Sequence, residues 1–253
     1  MIDTHCHIYL EQFDEDLTEV LDRAREAGVK EICMPAITFE SLNQMELIHH
    51  PEIAFHKMAG IHPCDVGEIP GKFEQQLYDH CSKEEIIAVG ETGLDYYWSQ
   101  DWVNNQKTLL RIHCKVAKEL DKPVVLHNRE STTDLLDIIE EQQDGRLRGV
   151  WHCYTGTVDE GNRALELNLH LGVGGVTTFK NAGVDQTVAE MPMQKLILET
   201  DAPFLAPHPK RGKRNEPAFM KFTAEKLAEI KGMSLDEVDE VTTETAKGLF
   251  NLP

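Results

Sequence analysis

The chain has 253 residues, with 44 Asp plus Glu against 25 Lys plus Arg and a formal charge of −19. This length suits a single large domain over residues 1–253, and the acidic balance repels polyanions, so a nucleic-acid substrate would have to be held locally. Cys6, Cys33, Cys64, Cys81, Cys114 and Cys153 show no disulfide-like spacing and read as reduced thiols of a cytoplasmic protein; no apolar run nears the ~20 residues of a membrane span, and no export signal opens the chain.

In chain order, the first short apolar run ends in Ile2-Asp3-Thr4-His5-Cys6-His7. On a strand, residues i and i+2 share a face, so His5 and His7 point one way and Cys6 the other. Residues 14–27 carry Leu17, Val20, Leu21 and Ala24 at helical spacing and stop at Gly28, a C-cap residue. The unit then repeats: strand 31–36 and a helix opening at Ser41 as N-cap, strand 54–61 running into His62 and helix 72–81, strand 86–89 ending in Gly90-Glu91 and helix 101–120. Strand 124–127 ends on His127, and helix 131–141 follows; strand 148–152 ends on His152, and helix 159–167 follows. Strand 169–173, helix 184–190, strand 195–198 running to Asp201, and helices 217–231 and 234–250 complete the chain.

Eight short strands alternating with helices predict an α/β fold, a (β/α)8 TIM barrel with its site at the C-terminal ends of the strands. A doubly wound sheet would not explain why polar residues gather there. Strand ends supply His5, His7, His62, Glu91, His127, His152 and Asp201. Any one of these can cap a strand. Jointly, four histidines (His5, His7, His127, His152) and two carboxylates (Glu91, Asp201) exceed the needs of one tetrahedral ion and suit two divalent metal ions bridged by a carboxylate. The other seven histidines read as surface or packing residues, and Cys153, facing away from His152, as packing against a helix.

His5-Cys6-His7, Gly60-Ile61-His62-Pro63, Gly90-Glu91-Thr92-Gly93-Leu94-Asp95, Val125-Leu126-His127-Asn128-Arg129-Glu130, His152-Cys153-Tyr154-Thr155-Gly156, Thr178-Phe179-Lys180-Asn181-Ala182 and Glu199-Thr200-Asp201-Ala202-Pro203 resemble, in that order, the motif series of the TatD family of metal-dependent hydrolases. The resemblance continues through 211–217. It implies a (β/α)8 barrel of the amidohydrolase superfamily, deoxyribonuclease activity, and His5, His7, Glu91, His127, His152 and Asp201 as metal ligands with Glu91 the bridge. Tyr154-Thr155 stands where the family commonly has Phe-Ser, Cys64 where a second His is frequent, and Gly174-Gly175 where Ser-Gly is usual. None of these touches a proposed ligand.

Zinc lowers the pKa of bound water to about 7 in a suitable site, so the expected reaction is attack of a metal-bound hydroxide on phosphorus. Asp201 is the candidate proton acceptor, with Glu91 as the second catalytic carboxylate. His62 and Arg129 are candidates to hold the phosphate, and the basic loop containing Lys210, Arg211, Lys213 and Arg214 to hold the DNA, with Tyr96, Tyr97 and Trp98 available to stack bases. The nitrogen-rich ligand set favours zinc, manganese or iron, whereas the resemblance implies magnesium. The alternative activity is hydrolysis of a lactone, cyclic amide or aminoacyl ester by the same hydroxide; a non-enzymatic metal scaffold is disfavoured because the ligand set is complete. Neither a membrane nor an obligate protein partner is expected.

Overall fold

In a computed structural model, which describes residues 1–98 and 100–253, eight parallel strands form one sheet in the order β1 to β8. The elements are β1 Ile2–Asp3, α1 Leu17–Glu26, β2 Glu31–Met34, α2 Ser41–Met45, β3 Ala54–Ala59, α3 Phe73–Cys81, β4 Ile86–Asp95, α4 Val103–Leu120 and β5 Val124–Arg129. They continue with α5 Thr132–Gln142, β6 Gly149–Trp151, α6 Val158–Glu166, β7 Leu169–Val173, α7 Val184–Glu190, β8 Leu196–Leu198, α8 Met220–Lys231 and α9 Leu235–Phe250. The ends of the sheet meet where Thr4 N–H donates to Leu198 O at 3.0 Å and Cys6 pairs with Ala202. The expected barrel is therefore present.

Local chemistry sets the helix ends. Thr157 with Glu160 and Ser234 with Glu237 form capping boxes that start α6 and α9 by satisfying otherwise unpaired N–H groups. Ser41, expected as an N-cap, is instead the first residue of α2, and its Oγ accepts from Thr38 N–H at 3.2 Å. One apolar layer lies between strands and helices. Another fills the barrel with Ile2, Cys33, Met58, Ala88, Val125, Val150 and Ile197, packed against Ala246, Leu249 and Phe250 at the end of α9.

The strand expected to stop at Val89 runs on to Asp95. Val89 pairs with Val124 but Thr92 with Leu126, so β4 carries one residue more than β5 over that stretch. Such a bulge re-aims the following side chains. Strict alternation from the inward Ala88 would bring residue 90 inward, and the extra residue passes that direction to Glu91 and, four residues on, to Asp95. Gly93, at φ +142°, permits the close approach of β5: a Cβ there would lie 2.0 Å from His127 O. Among the described residues, no helix is long and apolar enough to cross a membrane.

Candidate metal centre

The mouth of the barrel opens into a cavity of about 690 Å³ lined by His7, His62, Glu91, His127, His152 and Asp201, among others. Glu91 is buried at its centre, and its two oxygens face different neighbours. Oε2 lies 3.2 Å from His5 Nε2 and 3.5 Å from His7 Nε2. Oε1 lies 2.9 Å from His152 Nε2, 3.1 Å from His127 Nδ1 and 3.6 Å from His62 Nε2. Asp201 Oδ1 closes the first group at 3.6 Å from His7 Nε2 and 3.8 Å from His5 Nε2. Three overlapping sets, His5 with His7 and Glu91, His5 with His152 and Asp201, and His62 with Glu91 and His127, bring their ligand atoms within 4.8 Å of one another, close enough to share a cation.

Hydrogen-bond partners behind the imidazoles decide which nitrogen faces inward. Tyr9 donates its hydroxyl to Pro35 O at 2.7 Å, so at 3.0 Å it accepts from His7 Nδ1–H and leaves the Nε2 lone pair facing the cavity. Asp95 Oδ2 accepts from His127 Nε2–H at 2.9 Å, leaving Nδ1 as the free lone pair. Glu199 Oε1 lies 3.6 Å from His152 Nδ1, a charge contact just beyond hydrogen-bond reach, and Gly172 makes room for that carboxylate, since a Cβ there would meet Glu199 Oε2 at 2.2 Å. Such partners fix tautomer and ring orientation in metal sites. His62 is the exception: its Nδ1 accepts from Cys64 N–H at 3.1 Å, which puts the proton on Nε2 and makes that inward atom a donor. The donor set thus fits divalent cations, with lone pairs of nitrogen and oxygen converging in a buried, preorganised pocket.

Electrostatics divide the set: His5 and Glu91 are ready to bind a cation, whereas His127, His152 and Asp201 hold protons more tightly than usual. Burial, reinforced by the charge of His152, holds His5 well below the usual histidine range, hence neutral. Burial opposes ionisation of Glu91, but the charge of His152 and the hydrogen bond to His127 outweigh it and keep that carboxyl well below its ordinary value. Burial would lower His152 and His127; Glu91 with Glu199, and Asp95 with Glu91, reverse this and raise both. Asp201 goes the other way, pushed up to about 6 by burial against the pull of His152 and His7.

The six residues expected as ligands thus stand together, and His62 and Arg129 line the same cavity. Arg129 stacks over Tyr97, 3.8 Å from the ring centroid. The basic loop divides. Arg214 is bidentate with Asp16 at 2.8 and 2.7 Å and lies over the Phe13 ring, so it ties the loop to the segment ahead of α1 and does not face the mouth. Arg211 and Lys213 are exposed, and neither lines the metal cavity. Tyr96 donates to Asp134 Oδ2 at 2.7 Å in a structural role, whereas Trp98 lines the cavity. Cys153 lines it too, contrary to the packing expected: the chain turns after His152, at φ +47°, with Cys153 N–H donating to Glu199 Oε1. Sequence reading gave no role to Tyr9, Asp95 or Glu199; the signal for Asp95 is its i+4 spacing from Glu91, legible only once β4 is known to continue.

A parallel barrel that gathers imidazoles and carboxylates at the C-terminal ends of its strands is the framework of a metal-dependent hydrolase. The chain belongs to the TatD family, whose model, described as TatD related DNase, matches residues 2–251. It is 37% identical over 254 residues to the metal-dependent hydrolase YabD of Bacillus subtilis, covering 100% of this chain and 99% of that protein. It is 27% identical over 260 residues, with 100% of both chains covered, to a Pectobacterium parmentieri protein named 3'-5' ssDNA/RNA exonuclease TatD. The crystal structure of the TatD homologue YjjV of Escherichia coli superimposes with a TM-score of 0.92 at 29% identity, covering 100% of this chain and 98% of that one.

Proposed function

We propose that this hydrolase is a deoxyribonuclease that cleaves phosphodiester bonds with two divalent cations held on either side of Glu91. The carrying observation is the division of Glu91, with Oε2 facing His5 and His7 and Oε1 facing His127 and His152. Divalent cations bound there would lower the pKa of a coordinated water toward about 7 and polarise a phosphoryl oxygen. Asp201, its carboxyl at about 6 and at the cavity wall, takes the proton of the attacking water. His62 donates its Nε2–H to a non-bridging oxygen, and Arg129 offers a planar guanidinium to the same phosphate. Trp98, beyond β4, and Phe204, beyond β8, stand at opposite sides of an eight-strand barrel and are exposed enough to stack bases. The exonuclease name of the Pectobacterium relative supports a nucleic-acid substrate.

The test is metal analysis of protein purified without chelator, followed by turnover on single- and double-stranded oligonucleotides and on a panel of lactones and cyclic amides. Bound cations, chelator-sensitive cleavage of DNA and inert lactones are expected. Rapid lactone hydrolysis with intact DNA would overturn the proposal in favour of carbonyl chemistry.

A further inference from the structure

Beside the metal cavity, the rim carries a second hollow of about 450 Å³. Its walls include Phe179, Lys180 and Asn181 from the segment after β7, and His208 and Arg211 from the loop after β8. Among the described residues no carboxylate lines it, although the chain's formal charge is −19. Among the described residues, neither Lys180 nor Arg211 enters an ion pair, whereas Arg214 is committed to Asp16. Arg211 is held over the Phe179 ring, its guanidinium carbon 4.1 Å from the centroid. Stacking leaves the edge of the guanidinium and its N–H groups free, and that edge matches phosphate oxygens. Holding the side chain in advance also reduces the entropy lost when a ligand binds.

The two segments are locked together and joined to the metal cavity. His208 N–H donates to Thr178 Oγ1 at 2.8 Å, and Gly175 packs so closely that a Cβ would lie 2.2 Å from Leu205 O. Val176 and Leu205 line the metal cavity, and Phe179 and His208 follow each of them three residues on. Chain reach over three residues is at most roughly 10 Å, so the hollow begins no farther than that from the cavity edge.

We infer that this hollow is a phosphate subsite for nucleotides flanking the scissile bond, with Lys180 and Arg211 as its cationic contacts and Phe179 as the platform that positions Arg211. The inference rests on the phosphodiesterase reading above. It explains how a strongly acidic protein would retain a polyanionic strand: one short cationic track leads away from the metal centre.

The experiment compares the parent, K180S/R211S, and a control, K30S/K247S, which removes two cations near Met1 at the other end of the barrel. Fluorescence anisotropy with a short single-stranded oligodeoxynucleotide in the presence of EDTA reads binding apart from catalysis. Metal-loaded turnover on that oligonucleotide and on bis-p-nitrophenyl phosphate reads polymer preference. K180S/R211S is expected to bind about tenfold more weakly, with a salt slope shallower by about 1.4 for two lost single-strand phosphate contacts. Its preference for oligonucleotide over the small diester should fall by about the same factor, while the control follows the parent. An unchanged salt slope, or an equal loss in the control, overturns the subsite. Slope-dependent binding without turnover on either substrate would keep the subsite and overturn the phosphodiesterase reading instead.

Discussion

Replacing Asp95 by Asn isolates the tautomer control of His127 from everything else in the centre. Asp95 is buried, and its backbone is clamped by Gln106, which accepts from Asp95 N–H at 3.0 Å and donates to Asp95 O at 3.1 Å. Its Oδ1 accepts from Tyr97 N–H and Trp98 N–H at 2.9 and 3.0 Å, and Oδ2 accepts from His127 Nε2–H at 2.9 Å. An asparagine has one acceptor for these three donors. If its oxygen stays with the two backbone N–H groups, its amide N–H₂ meets Nε2 and drives the proton of His127 to Nδ1, the atom 3.1 Å from Glu91 Oε1. That nitrogen then has no lone pair to offer. Loss of such a supporting partner typically costs 10–100-fold in metal affinity, about 1.4–2.7 kcal/mol. Competition with a chromogenic chelator measures the affinity, and histidine ¹⁵N shifts report the tautomer. An affinity within twofold of the parent with His127 still protonated at Nε2 would refute the reasoning.

Asp201→Asn keeps one coordinating oxygen but removes the proton acceptor, so at saturating metal turnover should fall by about 10²–10⁴-fold with the fold retained. Turnover within a few-fold of the parent would leave Asp201 as a ligand only. Metal uptake should release protons and weaken as pH falls: below about 6 the Asp201 carboxyl holds a proton that a cation must displace, and the raised His127 and His152 add to the competition. Calorimetry in buffers of different ionisation enthalpy counts those protons, and a count of zero at pH 6 would contradict the assignment. Arg214→Ala removes a half-exposed bidentate pair and the packing over Phe13. A loss of about 1 kcal/mol, or roughly 2–4 °C in Tm, is expected with oligonucleotide affinity unchanged. Weaker DNA binding at constant Tm would restore Arg214 to the substrate face.

What the sequence alone determined was the period of the chain and the chemistry at the strand ends. Eight apolar runs alternating with amphipathic helices demand a buried parallel sheet, and His5, His7, Glu91, His127, His152 and Asp201 all follow such runs, so closing the barrel brings them to one mouth. Local pattern suffices there because direction and burial are properties of each strand. It fails where long-range contact decides. The bulge that turns Glu91 and Asp95 inward depends on β4 meeting β5 at Gly93, and two glycines within four residues look like the end of a strand. Asp95 and Glu199 acquire their work only from histidines on other strands, and Tyr9 accepts from nearby His7 only because Pro35 O, distant in sequence, takes its hydroxyl proton. The basic loop shows the same limit. Arg211 and Arg214 lie three residues apart in one cationic run, but Asp16, distant in sequence, claims Arg214 while Phe179 holds Arg211 over the open hollow, because a cation's role is set by the partner the fold brings to it.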